Sequence, residues 1–218
     1  MRYYSSMSGV MVLLLLILIS SILAIAVFVW FRLARYEFPV LLFFCSLLAG
    51  ATSFFPALLL QEFVPEGGAL SVYIRAFTEE LSRLLPLIIL LLLFRRFAAA
   101  SNNGFTTGTA AGLVAGLGFA ILEGAVYSAA NPDITLLRAC TAAPLHGACG
   151  SRVGSAVVLF RENPARAITQ FLFTVVIHGT YNTLLRIPGI LSLIAAVLIA
   201  LSAFASSVLT IRREMTAP

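Results

Sequence analysis

The stretch Ala76-Phe77-Thr78-Glu79-Glu80-Leu81-Ser82-Arg83-Leu84-Leu85 sets two adjacent carboxylates and a guanidinium inside an otherwise apolar run. An ionisable side chain at membrane depth costs about 2.5–3.5 kcal/mol on insertion scales, so such residues mark function by default. Glu123, His146 and His178 each interrupt an apolar segment in the same way, and the two histidines are the only ones in the chain. Two imidazoles and a carboxylate are the ligand set of many catalytic zinc sites, with water in the open position. A further carboxylate beside that water acts as general base. His146, His178 and Glu123 are therefore candidate ligands and zinc the candidate ion. A metal-free alternative stays open, because a desolvated carboxylate is a stronger base than one in water and, with a histidine, can activate water directly. Glu79 and Glu80 are both candidates for the base.

Local spacing adds roles. Glu79 and Arg83 are four apart on a helix, as are Arg75 and Glu79, and Glu80 and Arg83 are three apart, so each pair shares a face. One carboxylate can pair with Arg83 while the other faces a cavity. Phe119, Glu123 and Tyr127 form another such stripe, and His178 and Asn182 a third. An amide one turn from a histidine can donate to a developing oxyanion. Arg83, Phe119 and Tyr127 are read as flanking groups that support the reacting ones. Cys45, Cys140 and Cys149 show no C-x-x-C spacing, so neither a disulfide framework nor a thiolate cluster is indicated. They read as small buried apolar residues. The glycines between 112 and 118 lack a flanking strand and a lysine, which excludes a phosphate loop.

The elements that must position these groups follow from composition. Of 218 residues, 61% are hydrophobic and 11% charged, and the mean hydropathy is +1.03; soluble domains carry about 25% charged residues. Apolar segments at 10–31, 39–60, 72–94, 108–130, 136–160, 167–185 and 190–211 each approach the ~20 residues that span a bilayer. Only helices satisfy their own backbone in such short segments. The expectation is an all-α, polytopic bundle of about seven transmembrane helices, forming a single integral membrane domain over 1–218 with its motif-bearing core at about 72–186. The first segment is too long for the apolar core of a signal peptide and reads as a retained helix. Pro56 and Pro144 predict kinks or re-entrant stretches in the second and fifth segments. Gly108, Gly112, Gly116, Ala120 and Gly124 recur every fourth residue, a small-residue stripe that puts the fourth segment at the bundle centre.

All 14 basic residues are arginine. Arg32, Arg35, Arg95, Arg96, Arg161, Arg166, Arg212 and Arg213 fall on one side, against Arg2, Arg138 and Arg186 on the other. The positive-inside bias then puts the N-terminus outside and the C-terminus in the cytoplasm. With that orientation Glu79, Glu80, Glu123, His146 and His178 all lie roughly 10–15 Å below the outer boundary, at 1.5 Å per residue. Arg152 lies deep in the fifth segment, either balancing the acidic cluster or reaching toward the cytoplasmic face. The net charge of +5 reflects this loop bias, and no nucleic-acid partner is indicated.

Taken in order, Glu79-Glu80-x-x-Arg83, Phe119-x-x-x-Glu123, His146 and His178-x-x-x-Asn182 resemble the motif series of PrsW-type intramembrane proteases, in the wider clan of CAAX and bacteriocin-processing proteases. The stretch 116–127, with Phe119, Glu123 and Tyr127, is similar to that family's second motif. The resemblance covers about 75–186; segments one, two and seven carry no recognised motif. It implies hydrolysis of a peptide bond in a membrane-anchored protein near the outer membrane face, such as first-site cleavage of an anti-sigma factor, in a bacterial-type cytoplasmic membrane. Glu123 stands where the CAAX pattern has histidine, which argues against a prenylated substrate. Arg83 replaces a frequent lysine, and Asn182 stands where some members carry an acid. The alternative function is a proton- or ion-coupled transporter using the Glu/His cluster as a relay, although no inverted repeat is present. A retinal protein is excluded by the lack of lysine. Haem ligation by the two histidines would leave three glutamates unexplained. The topology has a direct check: a membrane-impermeant thiol reagent applied to intact cells labels Glu66→Cys but not Arg212→Cys, and the reverse pattern inverts the assignment.

Overall fold

A computed structural model of the chain describes residues 9–94, 104–130 and 135–216. Arg2, Arg95 and Arg96, used above for orientation, lie outside the described residues. Among the described residues there are seven helices and no strand: α1 (Gly9–Leu33), α2 (Val40–Gln61), α3 (Gly68–Leu93), α4 (Gly104–Ala130), α5 (Thr135–Leu159), α6 (Pro164–Arg186) and α7 (Ile190–Thr216). By length and composition α1, α2, α4 and α7 can cross a membrane. The other three have 26, 25 and 23 residues, long enough to span. Their hydropathy is lowered by polar residues, including the charges and imidazoles singled out above. On α1 the exposed face is Leu14, Leu18, Ile22, Ile25 and Val29, an apolar stripe that suits lipid and not water.

Pro56 and Pro144 do not break their helices. Both α2 and α5 run continuously through them, as α3 does through Pro86, so the predicted re-entrant stretches are absent from these two elements. Pro144 is buried among neighbouring helices, whereas Pro56 lies on the exposed face of α2. The α2–α3 turn ends on Gly67 and Gly68 at φ of 94° and 76°, a region that favours glycine. At the other end of the bundle Asn163 caps α6, its side chain accepting from the Arg166 amide at 3.0 Å.

Helix α4 is the hub. It is buried over most of its length and packs most extensively on α5, then on α2 and α1. The small-residue stripe explains why. A Cβ on Gly112 would lie 2.1 Å from the Gly150 carbonyl oxygen, and one on Gly116 only 1.9 Å from that of His146. Gly154 answers Gly108 in the same way, at 2.1 Å from its carbonyl. Two backbones in contact leave no room for side chains, and this approach fixes where α5 carries His146. Gly124, by contrast, faces only the Ser20 hydroxyl of α1, at 3.0 Å.

A Gly→Ala change in a helix ordinarily gains about 1 kcal/mol in propensity. Gly116→Ala should instead destabilise by about 1–3 kcal/mol through overpacking, while Gly124→Ala stays neutral or gains. Thermal unfolding of both in one detergent checks this, and equal shifts would refute the close-packing account.

Candidate active site

Five helices contribute to one buried cluster. Helix α3 brings Glu79, Glu80 and Arg83; α4 brings Phe119 and Glu123; α5 brings His146; α6 brings His178; the end of α2 brings Gln61. Glu80 and Arg83 are fully buried and form an ion pair one turn apart on α3. Each has a second partner. Glu80 Oε1 lies 2.8 Å from His178 Nδ1, and Arg83 Nη2 lies 3.3 Å from His146 Nδ1. The guanidinium also sits over the Phe119 ring, 4.6 Å from its centroid, a cation–π contact. Phe119 packs against His146 on its other side, with centroids 4.9 Å apart.

These partners set the tautomers. A carboxylate only accepts, so His178 carries its proton at Nδ1, toward Glu80, and presents a lone pair at Nε2. That Nε2 faces Glu79 Oε2 at 3.4 Å. A guanidinium only donates, so His146 presents its lone pair at Nδ1, and its proton at Nε2 points to Glu123 Oε2, 2.9 Å away. The two rings stand edge to face, with centroids 4.9 Å apart.

The choice between Glu79 and Glu80 is therefore decided by tertiary contacts. Glu80 is consumed by Arg83 and His178. Glu79 takes one hydrogen bond, from Gln61 Nε2 to Oε1 at 2.7 Å, while its Oε2 is buried with no hydrogen-bond partner. Two acceptors, Glu79 Oε2 and His178 Nε2, thus face one another in a buried space. Only a cation or a proton between them relieves the repulsion and supplies the missing donor.

The donor set fits a metal ion. Glu79, His146 and His178 each bring one ligand atom to within 4.8 Å of the others; as a ligand His146 would give up its contact with Arg83 or with Glu123. The Glu80 contact to His178 Nδ1 is the outer carboxylate that orients metal-binding histidines. Glu123, grouped with the histidines on sequence, instead receives His146 Nε2 and Arg138 Nη2, the latter at 2.7 Å. A second group, Glu80, Cys149 and His178, is equally compact, but its carboxylate is already engaged by Arg83 and its imidazole Nδ1 by that carboxylate.

Asn182 is half-buried one turn from His178 and has no hydrogen-bonded partner among the described residues. Tyr127 stands at the exposed margin, its ring centroid 4.2 Å from the Arg138 guanidinium. Arg152 turns away from the cluster and bonds to its own helix and to α7. Two contributors escaped the sequence reading. Gln61 falls just beyond the apolar segment at 39–60, and Arg138 enters only the charge tally. Both sit at helix ends flanking short connections, one reaching Glu79 and the other Glu123, a proximity with no signal in linear spacing. Helix α6 is seated by close contacts on each side of His178. Gly179 lies against Tyr73, where a Cβ would come within 2.2 Å of the ring. The hydroxyls of Tyr181 and Thr141 bond at 2.9 Å.

Fold and cluster together define a multi-pass membrane protein with a buried, water-activating type of Glu/His site. A family model described as PrsW family intramembrane metalloprotease matches residues 7–208, and the chain belongs to that family. The match takes in α1, α2 and most of α7, beyond the stretch that carries the recognised motifs. No significant match was found among curated proteins or among solved structures. The protein is thus a membrane-embedded peptidase that acts on membrane-anchored substrates, and its family implies a metal ion.

The Glu80–Arg83 pair has a measurable cost when half of it is removed. Arg83→Leu leaves a buried, uncompensated carboxylate and should cost about 3–5 kcal/mol, whereas Glu80→Leu with Arg83→Leu should recover much of that loss. Denaturant unfolding of the two variants in detergent reads the difference.

Proposed function

We propose that this chain hydrolyses a peptide bond of a membrane-anchored protein with Glu79, His178 and His146 holding a zinc ion and Glu123 moving protons. The carrying observation is the pair of buried acceptors, Glu79 Oε2 and His178 Nε2, facing one another at 3.4 Å. Nitrogen and oxygen donors in a His/His/Glu set suit zinc. Such an ion, when bound, supplies Lewis-acid polarisation of a carbonyl and eases loss of a proton from water.

The side chains do the rest. Gln61 holds Glu79 Oε1, so that Oε2 stays turned into the site. Glu80 keeps the His178 lone pair on the same spot. Glu123 lies at the edge of the cluster, linked to the part-exposed Arg138. It accepts a proton from the attacking water. Glu123 then returns that proton to the departing amine. Asn182, with its amide free, donates to the oxyanion. Phe119 and Arg83 exclude water from the inner side.

The cluster lies toward the end of the bundle formed by the end of α2, the start of α3, the end of α4, the start of α5 and the end of α6. The arginine bias makes that end extracytoplasmic, in a bacterial-type cytoplasmic membrane. Cleavage near the outer face of the bilayer follows, with a membrane-anchored anti-sigma factor as the favoured substrate.

The roles separate by experiment. Purified parent should hold about one zinc per chain, the count for a single catalytic site. Glu79→Gln and His178→Ala should lose both metal and cleavage of a tethered peptide. Glu123→Gln should keep the metal and lose about 10²–10⁴-fold in kcat, the usual scale of a general acid–base group. Metal-free, fully active parent, or full activity in Glu79→Gln, would overturn the assignment.

A further inference from the structure

At the end of the bundle opposite the cluster, α4, α5, α6 and α7 enclose a second, polar cavity of about 270 Å³. That is below the roughly 300–1,000 Å³ of sites for drug-sized ligands, and suits a single small group. Beside Phe105 and Phe173, its walls carry hydroxyls, an amide and one guanidinium, from Ser151, Ser155, Gln170, Ser206, Ser207 and Arg152 among others. An arginine inside a transmembrane bundle ordinarily pairs with a carboxylate. Arg152 has no acidic partner among the described residues. Its Nη1 is spent on the Ala148 carbonyl at 3.0 Å and Ser207 Oγ at 3.1 Å, while Nη2 has one long contact, Ser206 Oγ at 3.5 Å.

The remaining wall groups are donors too. Gln170 Oε1 accepts from Ser155 Oγ at 2.5 Å, which leaves the Gln170 amide nitrogen unpaired among the described residues. Ser151, also lining the cavity, has no hydrogen-bonded partner among them. Ser155 and Ser207 spend their protons on Gln170 Oε1 and the Ala203 carbonyl, so the unspent donors around the positive charge are Arg152 Nη2, the Gln170 amide and the Ser151 and Ser206 hydroxyls. That arrangement complements an acceptor-rich anion. The rim is equally informative. Phe173 of α6 and Ser206 of α7 border the cavity and are exposed, so it opens sideways through the α6–α7 seam to the lipid-facing surface. Arg161 and Arg166 flank the nearby α5–α6 connection, and Arg213 ends α7, at the level where headgroups lie.

We propose that this cavity is a binding site for a phosphate oxyanion, supplied by the headgroup of an anionic phospholipid entering between α6 and α7. Arg152 Nη2, the Gln170 amide and the Ser151 and Ser206 hydroxyls are its donors. The site stands apart from the Glu/His cluster and does not depend on the catalytic reading. It shares α5 with the cluster, Arg152 lying six residues beyond His146.

The test uses the whole chain in detergent and counts bound molecules by native mass spectrometry, with thermal unfolding in parallel. The probes are dioctanoyl phosphatidylglycerol, dioctanoyl phosphatidylcholine and inorganic phosphate. The parent should retain one phosphatidylglycerol, in preference to phosphatidylcholine, and inorganic phosphate should compete for it. Arg152→Gln should weaken retention about ten-fold or more, the scale of one charge-assisted hydrogen bond, with the metal content unchanged. Ser206→Leu, which blocks the rim from an exposed position, should do the same and serves as the reading if Arg152→Gln does not fold. Inorganic phosphate binding as tightly as the lipid would assign the oxyanion site to a free anion and remove the lipid source. Absence of binding to the parent, or equal retention by parent and a folded variant, overturns the proposal.

Discussion

The buried Glu80–Arg83 pair is the interaction on which the cluster depends. Neither side chain touches solvent, and an isolated charge there would be prohibitively costly. The pair neutralises itself and then uses its remaining valences outward. Glu80 orders His178 and Arg83 orders His146, so one ion pair assigns opposite tautomers to two imidazoles on different helices. The result is a lone pair at His178 aimed at Glu79 and a proton at His146 aimed at Glu123. Glu79 and Glu123 thereby acquire different surroundings from equal chemistry, one opposed by an acceptor and one met by donors.

Such an arrangement demands helices held at fixed separations. Hydrophobic burial supplies little of that in lipid, where tails are as apolar as leucine. Backbone contact supplies it instead. Gly112 and Gly116 bring α4 against the carbonyls of Gly150 and His146, and Gly118 brings it within 2.0 Å, Cβ to oxygen, of Leu47 on α2. Gly179 does the same for α6 against Tyr73. The residues that carry chemistry are thus adjacent to the residues with no side chain: His146 beside Gly147, His178 beside Gly179, Glu123 beside Gly124.

The bundle also divides its polarity. Glutamates and histidines gather at one end, where Arg138 and Gln61 close over them. Serines, Gln170 and Arg152 gather at the other, where Arg152 has no acidic partner among the described residues. Leucine, isoleucine and phenylalanine cover the outside.

Much of this was legible in the chain itself. Segment length and apolar content determined an all-helical membrane bundle, because a backbone in lipid has few other ways to satisfy its hydrogen bonds. The placement of Glu79, Glu80, Glu123, His146 and His178 at one depth followed from residue counts, since rise per residue is fixed. The four-residue glycine spacing marked α4 as the centre. What linear spacing left open was azimuth and reach. Glu79 and Glu80 are neighbours on one helix, and only the positions of α6 and α2 decide that the second is spent on Arg83 while the first is left facing His178. Gln61 and Arg138 reach the cluster across helix–helix gaps that no periodicity encodes. Continuity of α2 and α5 through Pro56 and Pro144 was likewise not readable from the chain alone. The sequence by itself determined which groups enter the membrane and how deep. The tertiary structure alone decided which atoms face each other, because hydrogen-bond partnership turns on separations of a few tenths of an ångström between elements far apart in the chain.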